Sequence, residues 1–222
     1  TSPIEVQFAV AIGTGLAQHR QGGRGITIVQ GGDAGTAEGD FASCLVWASR
    51  PGNELPMLIV VANNEWGIST PAAEQHGEQH IADRGKAFGI RTGVCDGNDP
   101  EQAWFALAEA FDYVRTERKP FLLEAHVSRL YGHSSSSGSN YVDDEVDCLS
   151  ELEAKLDRRG WRSLDESAAM RREIEAKMQR WYKQVLAEPH PEPEDAWKHV
   201  FAERDLVGEA RRAAPPAPGE AR

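Results

Sequence analysis

Short apolar runs alternate with longer amphipathic stretches over the first 130 residues. The first stretch, 2–20, carries Ile4, Phe8, Ala11, Ile12 and Leu16 at helical spacing. Ser2 as N-cap, Pro3 at the first helical position and Glu5 as the return arm of a capping box mark its start. Gly13 and Gly15 lower helix propensity there, which predicts another backbone packed close by. Continuous apolar runs at 26–30, 57–62, 90–95 and 120–127 read as buried strands. Between them lie a helix over 37–49 and a longer helix capped by Asp99, with Pro100 at its first position. Strands alternating with helices predict an α/β fold, a parallel sheet with helices on both faces.

The pattern changes after the fourth strand. Residues 131–148 are rich in Ser and Asp without periodicity and read as a loop. Two polar amphipathic helices are expected at 149–159 and 165–187, as a solvated covering layer. From Pro189 onward Pro, Glu and Ala dominate, and the end of the chain reads as disordered. The expected organisation is an α/β domain over 1–148, a helical extension over 149–188 and a Pro/Glu/Ala-rich tail over 189–222. No internal repeat is visible.

Charge narrows the function classes. The formal net charge is −11, with the acidic excess in the first 150 residues. Such a field opposes general nucleic-acid binding, which needs basic surface to displace counterions. No run of 18 apolar residues occurs, so no membrane-spanning helix is expected. The start lacks a charged segment followed by an apolar core, and it lacks Met, so the chain reads as processed or as a fragment. Cys44, Cys95 and Cys148 are odd in number and widely spaced, which suggests a reducing compartment without a disulfide framework or zinc site, and Cys44 and Cys95, among apolar residues, read as buried thiols.

The candidate chemistry sits at strand ends. Asp33 follows the first strand, within Gly31-Gly32-Asp33-Ala34-Gly35, and Asn63-Asn64 follows the second. The two strands and the helix between them form one βαβ unit, so an acid and an amide converge on the carboxyl edge where α/β sheets bind ligands. Hard oxygen ligands suit Mg²⁺ or Ca²⁺ and leave positions for water and substrate phosphates. The backbone N–H groups of the turn also favour phosphate. A metal–diphosphate site is the composite reading. His133, on a Gly/Ser loop beyond a strand, suits an active-site lid. His76 and His80, four residues apart, read as surface residues, and His126 reads as a structural residue of the fourth strand.

These residues occur in longer motifs. They are Gly32-Asp33-Ala34-Gly35-Thr36-Ala37-Glu38-Gly39-Asp40, then Asn63-Asn64-Glu65-Trp66-Gly67-Ile68-Ser69-Thr70-Pro71, with Ile81-Ala82-Asp83-Arg84-Gly85, Asp96-Gly97-Asn98-Asp99 and Arg129-x-x-x-His133-Ser134. Together they resemble the alpha subunit of the thiamine-diphosphate-dependent decarboxylating component of 2-oxo acid dehydrogenase complexes. Ile68-Ser69-Thr70-Pro71 and Glu74-Gln75 lean toward the branched-chain type over the pyruvate type.

The resemblance implies a thiamine-diphosphate-binding fold and the cofactors thiamine diphosphate and Mg²⁺. It implies Mg²⁺ ligation by Asp33, the Asn64 side chain and the Trp66 carbonyl. Gly32, Ala34 and Gly35 would approach the diphosphate by backbone, and Ser2 and Ile4 the aminopyrimidine. Arg129, His133 and Ser134 would lie over the cofactor and the reacting carbon. The implied partners are a beta subunit in an α₂β₂ assembly and a lipoyl-bearing acyltransferase. The implied place is the bacterial cytoplasm or the mitochondrial matrix. The family carries a long segment ahead of the position of Thr1, and its aminopyrimidine-activating glutamate belongs to the beta subunit.

Three positions depart from the family pattern: Ala34 stands for Gly, Glu65-Trp66 for Gly-Tyr, and Ser137 for Asp. The alternative expectation is a truncated alpha-like chain serving as a structural or interaction module. A thiamine-diphosphate enzyme of transketolase type would share the metal motif but leaves Arg129-x-x-x-His133-Ser134 unexplained.

Overall fold

The structure, a computed structural model, describes residues 4–133 and 145–198. Helix α1 (Val6–Gln21) is followed by strand β1 (Thr27–Gly32), a 3-10 turn (Ala34–Ala37), helix α2 (Gly39–Ala48) and strand β2 (Met57–Asn63). A short antiparallel hairpin comes next, β3 (Trp66–Gly67) and β4 (Thr70–Pro71). Then follow α3 (Ala82–Ala87), β5 (Arg91–Asp96), α4 (Pro100–Glu117) and β6 (Phe121–His126). The last helices are α5 (Cys148–Arg158) and α6 (Leu164–Ala187).

The four long strands form a parallel sheet in the order β1-β2-β6-β5. The central strand β2 carries an unbroken apolar run, and that of β6 is interrupted by Glu124, because both strands are covered on both faces. Alternation along each strand sends side chains to opposite faces. Met57, Ile59, Val61 and Leu122 join Phe8 of α1 and Phe41 of α2 in one core cluster. Leu58, Phe121 and Leu123 pack with Ala110 and Val114 of α4 in the other. The edge strand β1 is covered on one face only, and Ile28 on its other face is 53% exposed.

Register aligns the strand ends. Gly32 lies beside Ala62, while Asn63, His126 and Asp96 form one row across β2, β6 and β5. The ladder runs one step further through Val127 N–H to the Asn63 carbonyl, 2.8 Å. A Cβ at Gly97 would lie 2.7 Å from Val127 Cγ1 and 2.9 Å from the His126 carbonyl oxygen, so glycine is needed where the chain leaves β5.

The start of α1 differs from expectation. The helix begins at Val6, and Glu5 precedes it in the left-handed region at φ 62°. Glu5 therefore forms no capping box, and its carboxylate turns to the end of β1. Ser2 lies outside the described residues. Gly15 is the close approach the sequence predicts, since a Cβ there would meet Met57 Sδ at 2.8 Å, whereas Gly13 faces open space. The expected helix at 37 begins two residues later, because the preceding turn winds as a 3-10 helix.

Contacts divide the chain into two units, Thr1–Leu164 and Asp165–Arg222. The first holds the sheet and α5. The second holds most of α6, on which Ile174, Met178, Trp181 and Val185 recur at helical spacing and are exposed.

Candidate metal and diphosphate edge

Three segments meet at the carboxyl ends of β1 and β2. The first is the turn after β1. Asp33 is buried, at 3% exposure, and its carbonyl accepts from Thr36 Oγ1 at 2.6 Å and Thr36 N–H at 3.1 Å, which winds the 3-10 turn. Burial raises the Asp33 carboxyl above its ordinary value. The backbone N–H groups of Asp33, Ala34 and Asn64, and the nearby His76, act in the opposite direction. Among the described residues Asp33 Oδ2 has no hydrogen-bond partner. A buried carboxylate with an unmet oxygen calls for a proton or a cation.

The second segment is the turn after β2. Asn63 Oδ1 accepts from Glu65 N–H at 2.8 Å, and Asn64 Oδ1 accepts from Trp66 N–H at 3.0 Å. These two side-chain turns reverse the chain into β3. Glu65 takes φ 62° at the reversal, the position where the family pattern has Gly. Because β1 and β2 are adjacent, the Asp33 carboxylate and the Asn64 backbone are neighbours across the edge.

The third segment is the hairpin. β3 packs on the 3-10 turn, and a Cβ at Gly67 would lie 2.6 Å from Ala34 Cβ and 2.6 Å from Gln75 Oε1. The methyl group that Ala34 adds to the turn is thus accommodated by the missing side chain of Gly67. Gln75 Nε2 donates to the Thr70 carbonyl at 2.6 Å and holds the hairpin in place. Arg129 reaches the same hairpin. Its Nη1 donates to the Ile68 carbonyl at 2.5 Å, and its guanidinium stands 5.6 Å from the Trp66 ring.

Among the expected site residues, Gly32, Asp33, Ala34, Gly35, Asn64, Trp66 and Arg129 converge here. Ile4 is 66% exposed and His133 is exposed. Ser2 and Ser134 lie outside the described residues. The reading of His76 and His80 as surface residues is corrected. The His76 side chain is 11% exposed, with neither ring nitrogen hydrogen-bonded among the described residues, and His80 is half-buried. Their four-residue spacing is not helical, because both lie in the irregular segment ahead of α3.

Three residues at this edge were not among the expected site residues. Arg84 of α3 donates to the Thr36 carbonyl at 2.7 Å and pairs with Glu78, clamping the 3-10 turn. Glu124, fully buried on β6, accepts from Asn63 Nδ2 at 2.8 Å and from Ala82 N–H at 2.8 Å. An acid inside an apolar strand is a signal the sequence already carries. Glu5 is the third. Its Oε1 accepts from Gly32 N–H at 3.4 Å, and the spaces where a Cβ on Gly31 or Gly35 would stand are filled by its side chain. Burial raises the Glu5 carboxyl, a shift that the Gly32 N–H partly offsets.

A family model described as "Dehydrogenase E1 component" matches residues 1–194. The chain belongs to the dehydrogenase E1 component family. It is 30% identical over 212 residues to the human mitochondrial 2-oxoisovalerate dehydrogenase subunit alpha, covering 91% of this chain and 47% of that protein. It is 29% identical over 222 residues to subunit alpha 1 of the same name from Arabidopsis thaliana, covering 93% and 47%. A third relative, an Arabidopsis thaliana protein named putative 2-dehydropantoate 2-reductase, is 31% identical over 173 residues, covering 71% and 47%. This E1 chain thus spans about half the length of the curated relatives it matches, and its likeness is to the alpha subunits of the branched-chain type.

Proposed function

We propose that this chain supplies the cofactor-binding edge of a branched-chain-type 2-oxo acid dehydrogenase alpha subunit. With a beta subunit it takes part in decarboxylating a 2-oxo acid and passing the acyl group to a lipoyl-bearing acyltransferase. Its place is that of such complexes, the mitochondrial matrix or the bacterial cytoplasm. The observation that carries the reading is the buried Asp33 carboxylate, with one unmet oxygen, facing the Asn63-Asn64 turn of the neighbouring strand.

This donor set fits Mg²⁺, which prefers oxygen and keeps positions for water and phosphate. Asp33, the Asn64 side chain and the Trp66 carbonyl hold the ion, and the backbone of Gly32, Ala34 and Gly35 faces the diphosphate. Ser2 and Ile4 serve the aminopyrimidine end. When bound, thiamine diphosphate supplies the nucleophilic carbon and the electron sink that decarboxylation needs. The protein's own residues orient and exclude water. Arg84 and Thr36 fix the turn, and Asn63, anchored by Glu124, fixes the amide turn. Arg129 is tied to the hairpin through the Ile68 carbonyl, and Arg129, His133 and Ser134 are the groups assigned to the reacting carbon.

One observation favours a second reading, a non-catalytic alpha-like module. The Glu5 carboxylate packs on Gly31 and Gly35 of the turn, where its charge opposes a diphosphate. Calorimetry of the chain assembled with a beta subunit separates the two. Mg²⁺-dependent thiamine diphosphate binding is expected in the wild type and lost in Asp33→Ala. Equal affinity in both would remove the metal role, and absence of binding in both would leave the module reading.

A further inference from the structure

A second set of possible metal ligands lies beside the oxygen-lined edge and is chemically unlike it. His80, Glu124 and His126 each bring one ligand atom, and these atoms all lie within 4.8 Å of one another. Glu124 and His126 are two apart on β6, so both face the side of the sheet that carries α1 and α3. His80 comes from the segment ahead of α3 and meets them there. The imidazole rings of His80 and His126 stand 5.7 Å apart, edge to face. His126 Nε2 is 3.4 Å from Glu124 Oε1. His80 Nδ1 and His126 Nε2 are buried and make no hydrogen bond among the described residues.

We propose that His80, Glu124 and His126 form a site for a borderline divalent transition-metal ion of the Zn²⁺ or Co²⁺ kind, separate from the Mg²⁺ edge. Imidazole nitrogen selects such ions over Mg²⁺, which takes oxygen. Two histidines and one carboxylate are the ligand count of an open zinc site, with a further position for water. The geometry is near closure. Zinc bonds of about 2.0–2.1 Å set ligand atoms about 3.3 Å apart and imidazole centres on one ion roughly 5 Å apart. Rotation of the His80 side chain, which is on an irregular segment, supplies the remaining ångström. Glu124 is pre-oriented for the role, since Asn63 Nδ2 holds one oxygen and Ala82 N–H the other, leaving a lone pair on each. Glu124 is fully buried, so a cation beside its carboxyl group would be stabilising. Bound metal would tie the segment ahead of α3 to the end of β6. Through Asn63 it would stiffen the turn that carries Asn64. The proposal does not rest on cofactor binding.

The test is a Co²⁺ titration of the untagged full chain, read by visible absorption, with Zn²⁺ competition. One equivalent is expected, with the strong d–d bands of a four- or five-coordinate ion, displaced by Zn²⁺ and not by excess Mg²⁺. His80→Ala and His126→Ala are each expected to weaken binding by at least about tenfold. His76→Ala and Asp33→Ala are expected to keep the bands, which separates this site from the Mg²⁺ edge. Circular dichroism confirms that each variant is folded, and His80→Gln serves as the milder change if His80→Ala is not. Absence of the bands in the wild type would overturn the proposal. So would undiminished binding in folded His80 and His126 variants, or bands lost with Asp33→Ala alone.

Discussion

Glu5 and Glu65 both adopt φ 62° without being glycine, and each sits where the chain enters or leaves the candidate edge. For Glu65 the left-handed backbone is imposed by Asn63 and Asn64, whose side chains accept from the two following N–H groups. An L-residue there costs on the order of 1–2 kcal/mol, part of which glycine gives back as unfolded-chain entropy. Glu65→Gly is therefore expected to stabilise the protein by about 0.5–1 kcal/mol in chemical denaturation. Glu5 differs because its side chain is buried as well. Burial raises its carboxyl above 4.5. A carboxyl raised on folding contributes stability that is present at acidic pH and is lost as pH rises through the folded value. Glu5→Gln is thus expected to melt like the wild type below pH 4.5 and at higher temperature near neutrality. A pH series of melting temperatures checks this, and parallel curves would contradict it.

At the scale of elements, Asp99 joins two helices. Its side chain accepts from Glu101 N–H at 2.9 Å as the N-cap of α4, and the same carboxylate takes Lys155 of α5 at 3.0 Å. Lys155 and Arg159 also reach Glu101, at 2.7 and 2.9 Å. The Lys155 contact, with the cap N–H, lowers the Asp99 carboxyl to about 2. Stability from a lowered carboxyl is present above its ordinary value of 3.8 and is lost as pH falls through about 2. Asp99→Ala removes both the cap and the Lys155 ion pair and is expected to lower the denaturation midpoint. Asp99→Asn keeps a capping oxygen and loses only the ion pair, so its denaturation midpoint is expected to fall less than that of Asp99→Ala. Equal costs in denaturant titrations would refute the division. The cap was legible in the sequence, from Asp99-Pro100 ahead of an amphipathic run. The ion-pair network was not, because Lys155 is 56 residues away and nothing local links it to Asp99.

For the whole molecule, the sheet's two faces carry separate cores, and β6 serves both. Leu122 packs in the α1–α2 cluster and Leu123 in the α4 cluster. Leu122 is fully buried, so Leu122→Ala is expected to cost about 2–5 kcal/mol in unfolding free energy. A cost below 1 kcal/mol would mean that the site collapses around the missing atoms. The alternation of apolar strands with amphipathic helices determined the α/β class. The positions of Asp33 and Asn63-Asn64 at strand ends determined that an acid and an amide would share the carboxyl edge. Both are local facts, because periodicity and chain direction follow from backbone geometry. Tertiary structure alone decided what gathers around them. It turned Glu5 out of a helix cap and onto the glycine turn, set Arg84 against Thr36, and brought His80 to Glu124 and His126. Those contacts join residues far apart in the chain, and their partners are chosen by packing and by the need to satisfy buried charge, which no local pattern encodes.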